Sequence, residues 1–481
     1  MYKRQVIDRI LKEKENYGSL LVREKALIEH TSINPNASPH LGRIRNAIIG
    51  DILARLLRFH HYKTEVHYYV NDVSKQIALM LLGFKGNETF DEMLSLYVKM
   101  NKALEENPEL EKEIFKILEK IEMEDKETME KLSKLVRICV SGQREILSKL
   151  GINYDFFDYE SKYVAKKLTK KILEKLEKTK RLKKDVEGRY YFDLNGLGFD
   201  EKMKSPIAVL TRSNGVGLYI LRDVLYTIDK LKRAKFNVIV LGEDQKLYFK
   251  QLSAILNSLG YEAPKVVHYS FVLVKTKYGA RKMSTRKGEI ILVKDFLEEM
   301  IKKAREEMKK RNQKGENEKA EKIAVASLRY SIAKVEKNKQ IIFDLKEALN
   351  FEGNAAPYLL YSYVRAKSIL RKAKNEQIDN KEVKVQDDLS KEDLSKEETS
   401  ILSKLSLFPK IAEKSLVQFE PSLIANYCYS LCKAFNDFYE KCPVLRADSK
   451  IRERRIKLIM AIVQVLENCF EILGLPFLEE M

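Results

Sequence analysis

Cysteine is scarce. Cys139, Cys428, Cys432, Cys442 and Cys469 are the only five, and none stands in a CxxC or Cys/His ligand spacing. That pattern excludes a zinc module and a disulfide framework, both of which need sulfur donors in paired spacings. Long apolar runs are missing too: no stretch approaches the ~18 residues that would span a bilayer. The opening MYKRQVIDRILKEKENYG carries charge throughout, unlike a secretory leader. Acidic residues are in deficit, with 70 Asp+Glu against 89 Lys+Arg and a formal net charge of +19. A balance this basic favours a polyanionic partner such as nucleic acid, the plainer alternative being a lysine-rich solvated surface. The expectation is a reduced, cytoplasmic chain with no membrane contact and no structural metal.

At 481 residues the chain exceeds one ordinary core, so two or three domains are expected. The most informative stretch runs from Ala26 to Asp51, ALIEHTSINPNASPHLGRIRNAIIGD. It reads as a strand (Ala26–Ile33), a loop punctuated by Asn34-Pro35 and Ser38-Pro39, and a helix opening near His40. Ile44, Ala47, Ile48, Ile52 and Leu56 recur at the spacing of a buried helix face. Gly42 leaves the first turn bare, so unpaired backbone N–H groups and the positive dipole end form an open anion site. His40, Arg43 and Arg45 add donors beside it. A nucleotide phosphate fits that chemistry; a buried histidine at a helix end is the plainer alternative.

Residues 2–17 read as a short helix closed by Gly18, and Thr64–Val70 as a second strand, which makes a βαβ unit of a parallel sheet. Ligands on such sheets collect at the carboxyl ends of the strands, where Asn34, His40 and Asn71 fall. From about Lys75 to Lys184 Lys/Glu-rich helical patterns dominate, a helical insertion interrupted by the acidic, aromatic run INYDFFDYES. Strand patterns resume at Arg189–Asp193, Val209–Arg212 and Leu218–Leu221, followed by a helix (Asp223–Lys235), a buried strand (Asn237–Gly242), a helix (Lys246–Gly260) and a strand (Val266–Lys275). Arg281-Lys282-Met283-Ser284-Thr285-Arg286-Lys287-Gly288 then packs four cations, two hydroxyls and a glycine into a loop suited to gripping a triphosphate. After about Lys294 the pattern is helical to the end. The polar run 375–400 reads as a mobile loop within that helical bundle.

His40-Leu41-Gly42-Arg43 and Lys282-Met283-Ser284-Thr285-Arg286 resemble the HIGH and KMSKS signatures of class I aminoacyl-tRNA synthetases. The runs SINPNASPHLGRIRNAIIGD, YYVND, FFDYES, LYILRDVLYTIDK, KMSTRKG and FEGNAAPYLLYSYVRAKSILRKA narrow the resemblance to the arginyl-tRNA synthetase family over nearly the whole chain. The resemblance implies an α/β catalytic domain of Rossmann type over residues 1–315, with its helical insertion at about 75–205. An all-α anticodon-binding bundle over 316–481 would follow. It implies an arginine–tRNA ligase that uses ATP with Mg²⁺, takes arginine and tRNA(Arg) as substrates, and acts as a monomer. Two alternatives stay open: a paralogue that delivers arginyl-adenylate to another acceptor, and a catalytically idle RNA-binding protein.

Carried over residue by residue, the resemblance assigns His40, Arg43 and Lys282 to catalysis, and these with Gly42, Met283 and Ser284 to ATP. Glu160, Tyr219 and Asp223 match guanidinium-reading positions. Ser32, Asn34 and Gln245 match those holding the α-amino and carboxylate end, and Glu29 an acidic support. Phe435 matches an aromatic on which an anticodon base stacks, and is read equally well as core. Tyr358, Tyr361, Tyr363, Arg365 and Lys367 form an aromatic-basic helix with the same two readings. The sequence departs from the family in three places. Arg43 stands where the second signature histidine is usual. Ala37 replaces a lysine common in members whose KMSKS loop is degenerate, consistent with Lys282 being kept here. The first strand arrives by Ala26, where the family usually carries a tRNA-elbow domain of roughly a hundred residues.

Overall fold

The computed structural model describes residues 2–31, 33–199, 203, 205–276, 279–281, 291–310, 317–375 and 394–480. The chain begins with α1 (Tyr2–Glu13) and enters β1 (Lys25–Glu29), α2 (Leu41–Phe59) and β2 (Lys63–Val70). β1 and β2 are parallel, with Glu29 opposite His67, so the expected βαβ unit is present. Helices α3 (Lys75–Gly83), α4 (Glu92–Glu106), α5 (Leu110–Glu122) and α6 (Lys126–Lys149) lead to β3 (Phe156–Tyr159). Next come α7 (Lys166–Glu177) and a small antiparallel sheet of β4 (Leu182–Lys184), β5 (Tyr190–Asp193) and β6 (Ile207–Val209). Then α8 (Tyr219–Arg233), β7 (Phe236–Gly242), α9 (Lys246–Ser258) and β8 (Lys265–Tyr269) complete a five-stranded parallel sheet of order β3-β2-β1-β7-β8. The order reverses between β1 and β7, and a crevice opens at such a reversal, beyond the strands' carboxyl ends.

Two expectations are corrected. The run 218–221 is no strand: Leu218 is the extended cap and α8 starts at Tyr219. Its β-prone residues continue an amphipathic pattern whose Ile220, Leu221, Val224 and Ile228 are buried, and packing of that face overrides local propensity. The single strand expected over 266–275 is broken at Ser270 into β8 and β9 (Val272–Thr276), which lie in different sheets. The break is held by hydrogen bonds from outside the strand. Ser270 N donates to the Lys337 carbonyl (2.8 Å) and its own carbonyl accepts from Arg45 (2.7 Å).

β9 pairs antiparallel with β10 (Gly279–Arg281) and parallel with β11 (Ile341–Phe343), which follows α10 (Val293–Lys310) and α11 (Asn317–Ala333). After α12 (Leu345–Ala348) come α13 (Ala356–Asn375), α14 (Lys396–Gln418), α15 (Pro421–Lys441) and α16 (Ser449–Leu473). The expected loop over 375–400 falls mostly outside the described residues; from Lys396 on it is helix. α2 sits at the centre. Its Ile44, Ala47, Ile48, Ile52 and Leu56 are fully buried, and one hydrophobic core runs from β1 through α2 into α11 and α13–α16. No helix among the described residues is long and apolar enough to cross a membrane.

Candidate active site

β1 stops at Glu29 and the chain turns sharply through Thr31, whose φ of +68° is rare for a β-branched residue. The turn is fixed from several directions. The Thr31 N–H donates to Asn46 Oδ1 (2.6 Å) and its Oγ1 accepts from Tyr154 (2.6 Å). The following loop is tied down from the insertion. Gln143 of α6 donates to the carbonyls of Asn34 and Ala37 (both 2.9 Å) and accepts from Tyr68 (2.8 Å). Asn34 itself donates to Gln76 (2.8 Å). Ser32 lies outside the described residues.

His40 caps α2 in extended conformation without a side-chain capping bond. A Cβ at position 42 would stand 3.1 Å from two atoms of the His40 ring, so the bare first turn is what lets the imidazole fold over it. Burial, helped by the nearby Arg43, pushes His40 down to about 4, so the ring is neutral near pH 7. Its Nδ1 has no hydrogen-bond partner among the described residues. Arg43 is exposed beside it. Arg45 is not a phosphate donor: it is fully buried and gives its guanidinium to the carbonyls of Ser270, Lys339 and Glu336 (2.7, 2.7 and 2.9 Å). The helical period explains this, since a residue two positions on from Arg43 faces the opposite side of α2.

The His40 turn meets residues 291–293, a few positions beyond the second signature in sequence. Leu41 N donates to the Ile291 carbonyl (3.0 Å), Val293 N donates to the Pro39 carbonyl (2.9 Å), and His40 bridges Leu292. Lys282, Met283 and Ser284 lie outside the described residues, but the segment that follows them is hydrogen-bonded directly to the His40 turn.

Across the crevice lies an acidic pocket. Glu160, from the turn after β3, is 1% exposed, and burial pushes it up to about 8 in spite of the neighbouring Arg222. Arg222 Nε stands 2.7 Å from Glu160 Oε1. Yet neither that nitrogen nor either Glu160 oxygen makes an aligned hydrogen bond among the described residues. Asp223 accepts from the hydroxyl of Tyr248, and burial pushes it up to about 6. Tyr219, 56% exposed, leans on the Tyr248 ring at 5.3 Å. Tyr69 adds a buried hydroxyl beside Asp223 that makes no aligned hydrogen bond among the described residues. Glu29 is not free for a ligand: the buried Lys230 of α8 pairs with it. Gln245 is half-buried just beyond β7. A cluster of buried, under-bonded carboxylates and phenols suits a planar cation with several N–H donors.

Comparison with known proteins agrees. The family described as "tRNA synthetases class I (R), catalytic domain" matches residues 6–345, and "DALR anticodon binding domain" matches 359–481. The chain belongs to the class I arginyl-tRNA synthetase family. It is 37% identical to the arginine–tRNA ligase of Methanocaldococcus jannaschii, over 98% of this chain and 83% of that protein. To the arginine–tRNA ligase of Methanopyrus kandleri it is 38% identical, over 97% of this chain and 80% of the relative. Among solved structures, Thermus thermophilus arginyl-tRNA synthetase superposes with a TM-score of 0.84 at 25% identity, covering all of this chain and 86% of that one. The arginyl-tRNA synthetase of Plasmodium falciparum shares the fold, with a TM-score of 0.76 at 21% identity over 96% of this chain and 78% of that one.

Within the part matched to the family's anticodon-binding domain, one expectation is corrected. Phe435 is fully buried, so its ring offers no free face to a base. One turn on, Tyr439 is 43% exposed. The Arg365 guanidinium lies 4.6 Å from the Tyr439 ring centre and 4.5 Å from that of Tyr361, which is also exposed. Sequence reasoning missed Tyr439, Gln143, Tyr248 and Tyr69. For Tyr69 a signal existed in the family-like run YYVND; for Tyr248 there was only its nearness to Gln245, and for Gln143, inside a Lys/Glu-rich helix, there was none.

Proposed function

We infer that the chain is an arginine–tRNA ligase, activating arginine with ATP and passing it to the 3′ end of tRNA(Arg). The observation that carries this is the cluster of buried, under-bonded carboxylates and phenols around Glu160 and Asp223, in a chain whose His40 turn at the sheet reversal is hydrogen-bonded to residues 291–293. The arginine guanidinium is read by Asp223 and Glu160, with Tyr219 closing over it. Ser32, Asn34 and Gln245 take the α-amino and carboxylate end, and Glu29 with Lys230 supports β1 beneath them. The arginine carboxylate, already a nucleophile at neutral pH, attacks the α-phosphate in line; a phosphoanhydride bond breaks and pyrophosphate leaves. No general base is needed, so positioning and charge stabilisation carry the step. His40, neutral and with a ring nitrogen unpartnered among the described residues, hydrogen-bonds the nucleotide. The backbone at Gly42, Arg43 and the loop residues Lys282, Met283 and Ser284 hold the phosphates. Mg²⁺ travels on the triphosphate and offsets its charge. A terminal tRNA hydroxyl then attacks the arginyl carbonyl and AMP leaves.

We read residues 1–315 as the catalytic domain and 316–481 as the anticodon-binding bundle. The Tyr361–Arg365–Tyr439 stack supports base stacking there. We also read the protein as a cytoplasmic monomer, with its five cysteines buried as free thiols. The test is charging of an arginine tRNA transcript with labelled arginine, with and without ATP. ATP-dependent charging is expected. Arginine-dependent pyrophosphate exchange without charging would point to another acceptor, and absence of both would overturn the enzyme reading.

A further inference from the structure

We propose that Arg222 is a resident counter-cation of the arginine pocket, a positioning residue whose charge brings Glu160 close enough to ionisation for the substrate guanidinium to complete it and take its lone pairs. The inference rests on the reading of Glu160 and Asp223 as guanidinium ligands.

Three observations lead to it. First, Arg222 Nε lies 2.7 Å from Glu160 Oε1, with Glu160 1% and Arg222 9% exposed, so the pair is sheltered from water. Second, the contact is a close ion pair whose hydrogen-bond alignment is poor. Neither Glu160 oxygen nor Arg222 Nε has an aligned partner among the described residues, a costly state for buried charged atoms unless a ligand completes it. Third, the groups facing Glu160 from the surrounding elements are otherwise acidic or neutral. Asp223 lies on α8 and Asp72 follows β2, both opposing its ionisation. Tyr69 comes from β2 and Tyr248 from α9, both phenols held protonated by burial. Arg222 is the cation acting against them, and it draws Asp72 down as well.

A carboxyl buried among other carboxyls takes up a proton near neutrality. Protonated, Glu160 would present a hydroxyl donor to a substrate that is itself all donors. Arg222 opposes this with one fixed positive charge, and the charge of the incoming guanidinium completes the ionisation. The geometry of Arg222 leaves both Glu160 oxygens without an aligned donor, so the substrate forms the aligned hydrogen bonds.

The experiment is steady-state charging by the full chain with arginine varied at pH 7, 8 and 9, each variant's arginine KM divided by that of the unaltered protein at the same pH. Taking the ratio removes the substrate's own ionisation. Arg222→Gln should raise the ratio about tenfold or more at pH 7, with kcat changed much less, and the ratio should fall towards pH 9 as Glu160 ionises unaided. Arg222→Lys should recover most of the affinity at pH 7, because charge rather than a fork of hydrogen bonds is what Glu160 needs. A ratio that is flat with pH, or an Arg222→Lys that binds arginine as poorly as Arg222→Gln, overturns the proposal. Should Arg222→Gln not fold, Arg222→Lys together with a Glu160→Gln variant decides it: the Glu160→Gln ratio must rise from pH 7 to 9, as the unaltered protein gains a Glu160 carboxylate that the variant lacks, and a flat ratio overturns the proposal. Asp223→Ala run alongside separates the two levels. If it leaves the arginine KM unchanged, the pocket reading itself fails; if it raises KM while the Arg222→Gln ratio stays flat, only the role of Arg222 falls.

Discussion

In the acidic pocket, the side chain proposed to read a substrate cation is one the fold would rather keep neutral. Asp223 rises from an ordinary 3.8 to about 6, chiefly through burial, against the pull of the Tyr248 hydroxyl. Because the folded value lies above the unfolded one, the protonated form is the favoured folded form. The associated stability is complete below about pH 4 and is lost as pH rises through 6. At pH 7 the ionised carboxylate therefore costs about 3 kcal/mol. Asp223→Asn should accordingly be more stable than the unaltered chain at pH 7 and equal to it near pH 4, while arginine activation is abolished. Urea unfolding midpoints at the two pH values, with pyrophosphate exchange, check this; a variant less stable at pH 7 would mean the Tyr248 bond outweighs desolvation. A second pair of residues separates binding from packing. Tyr439→Ala should raise the KM for tRNA roughly 5- to 100-fold, the worth of one stacked base, and leave stability nearly unchanged. Phe435→Ala should instead cost about 3–5 kcal/mol of stability, as a large buried ring does. If Phe435→Ala impaired tRNA binding with full stability, the buried ring would have to reach RNA after all.

Among the elements, the insertion is more than a solvated appendage. Its α6 sends Gln143, 1% exposed, into the catalytic crevice, where one amide serves Asn34, Ala37 and Tyr68. Gln143→Ala strands two carbonyls and leaves the phenol of Tyr68 with only the Ile33 carbonyl. A loss of about 2–4 kcal/mol is expected from unmet buried groups, together with a raised arginine KM as the Asn34 loop loosens. Thermal unfolding and charging kinetics measure both, and an unchanged KM would mean that the loop is held by Gln76 alone. Nothing in the sequence marked this glutamine, because a polar residue in a Lys/Glu-rich helix looks solvated until its partner is known. What could be read directly was the α2 face, since its five apolar positions obey one period, and the parallel β1–β2 unit around it. The start of α8 was misread because Leu-Tyr-Ile-Leu satisfies strand propensity locally and only the next three turns show the helix. Arg45 was misassigned for a related reason: basic character near a phosphate site does not say which face of the helix a residue occupies.

Over the whole molecule, the catalytic sheet, the insertion and the C-terminal bundle meet at a single buried carboxylate. Asp51 of α2 accepts from Arg329 of α11 (2.5 Å) and from Arg55 of α2 (2.7 Å). Those two guanidiniums also bind helix ends. Arg329 donates to the carbonyls of Leu473 (3.0 and 2.9 Å) and Leu150 (2.8 Å), and Arg55 to that of Gly151 (2.9 Å). The carboxyl ends of α16 and α6 are thus capped by cations, where the helix dipole favours them. Gly474 follows in the left-handed region (φ +64°), and a Cβ there would lie 2.1 Å from the Arg329 guanidinium. Burial opposes ionisation of Asp51, but Arg329 and Arg55 outweigh it and hold the group below the usual carboxylate range. Removing one partner leaves the other charge buried and unmatched, so Arg329→Met should cost about 3–5 kcal/mol. Asp51→Asn should cost less, since the amide still accepts a hydrogen bond and Arg329 keeps its carbonyls. The decisive quantity is the double variant. If the pair acts as a unit, the second change adds little to the first, and urea unfolding gives an interaction of about 1–3 kcal/mol. Strict additivity would show that Arg329 stabilises through the carbonyls of Leu473 and Leu150 alone, and the bundle would then be joined to α2 by packing rather than by charge.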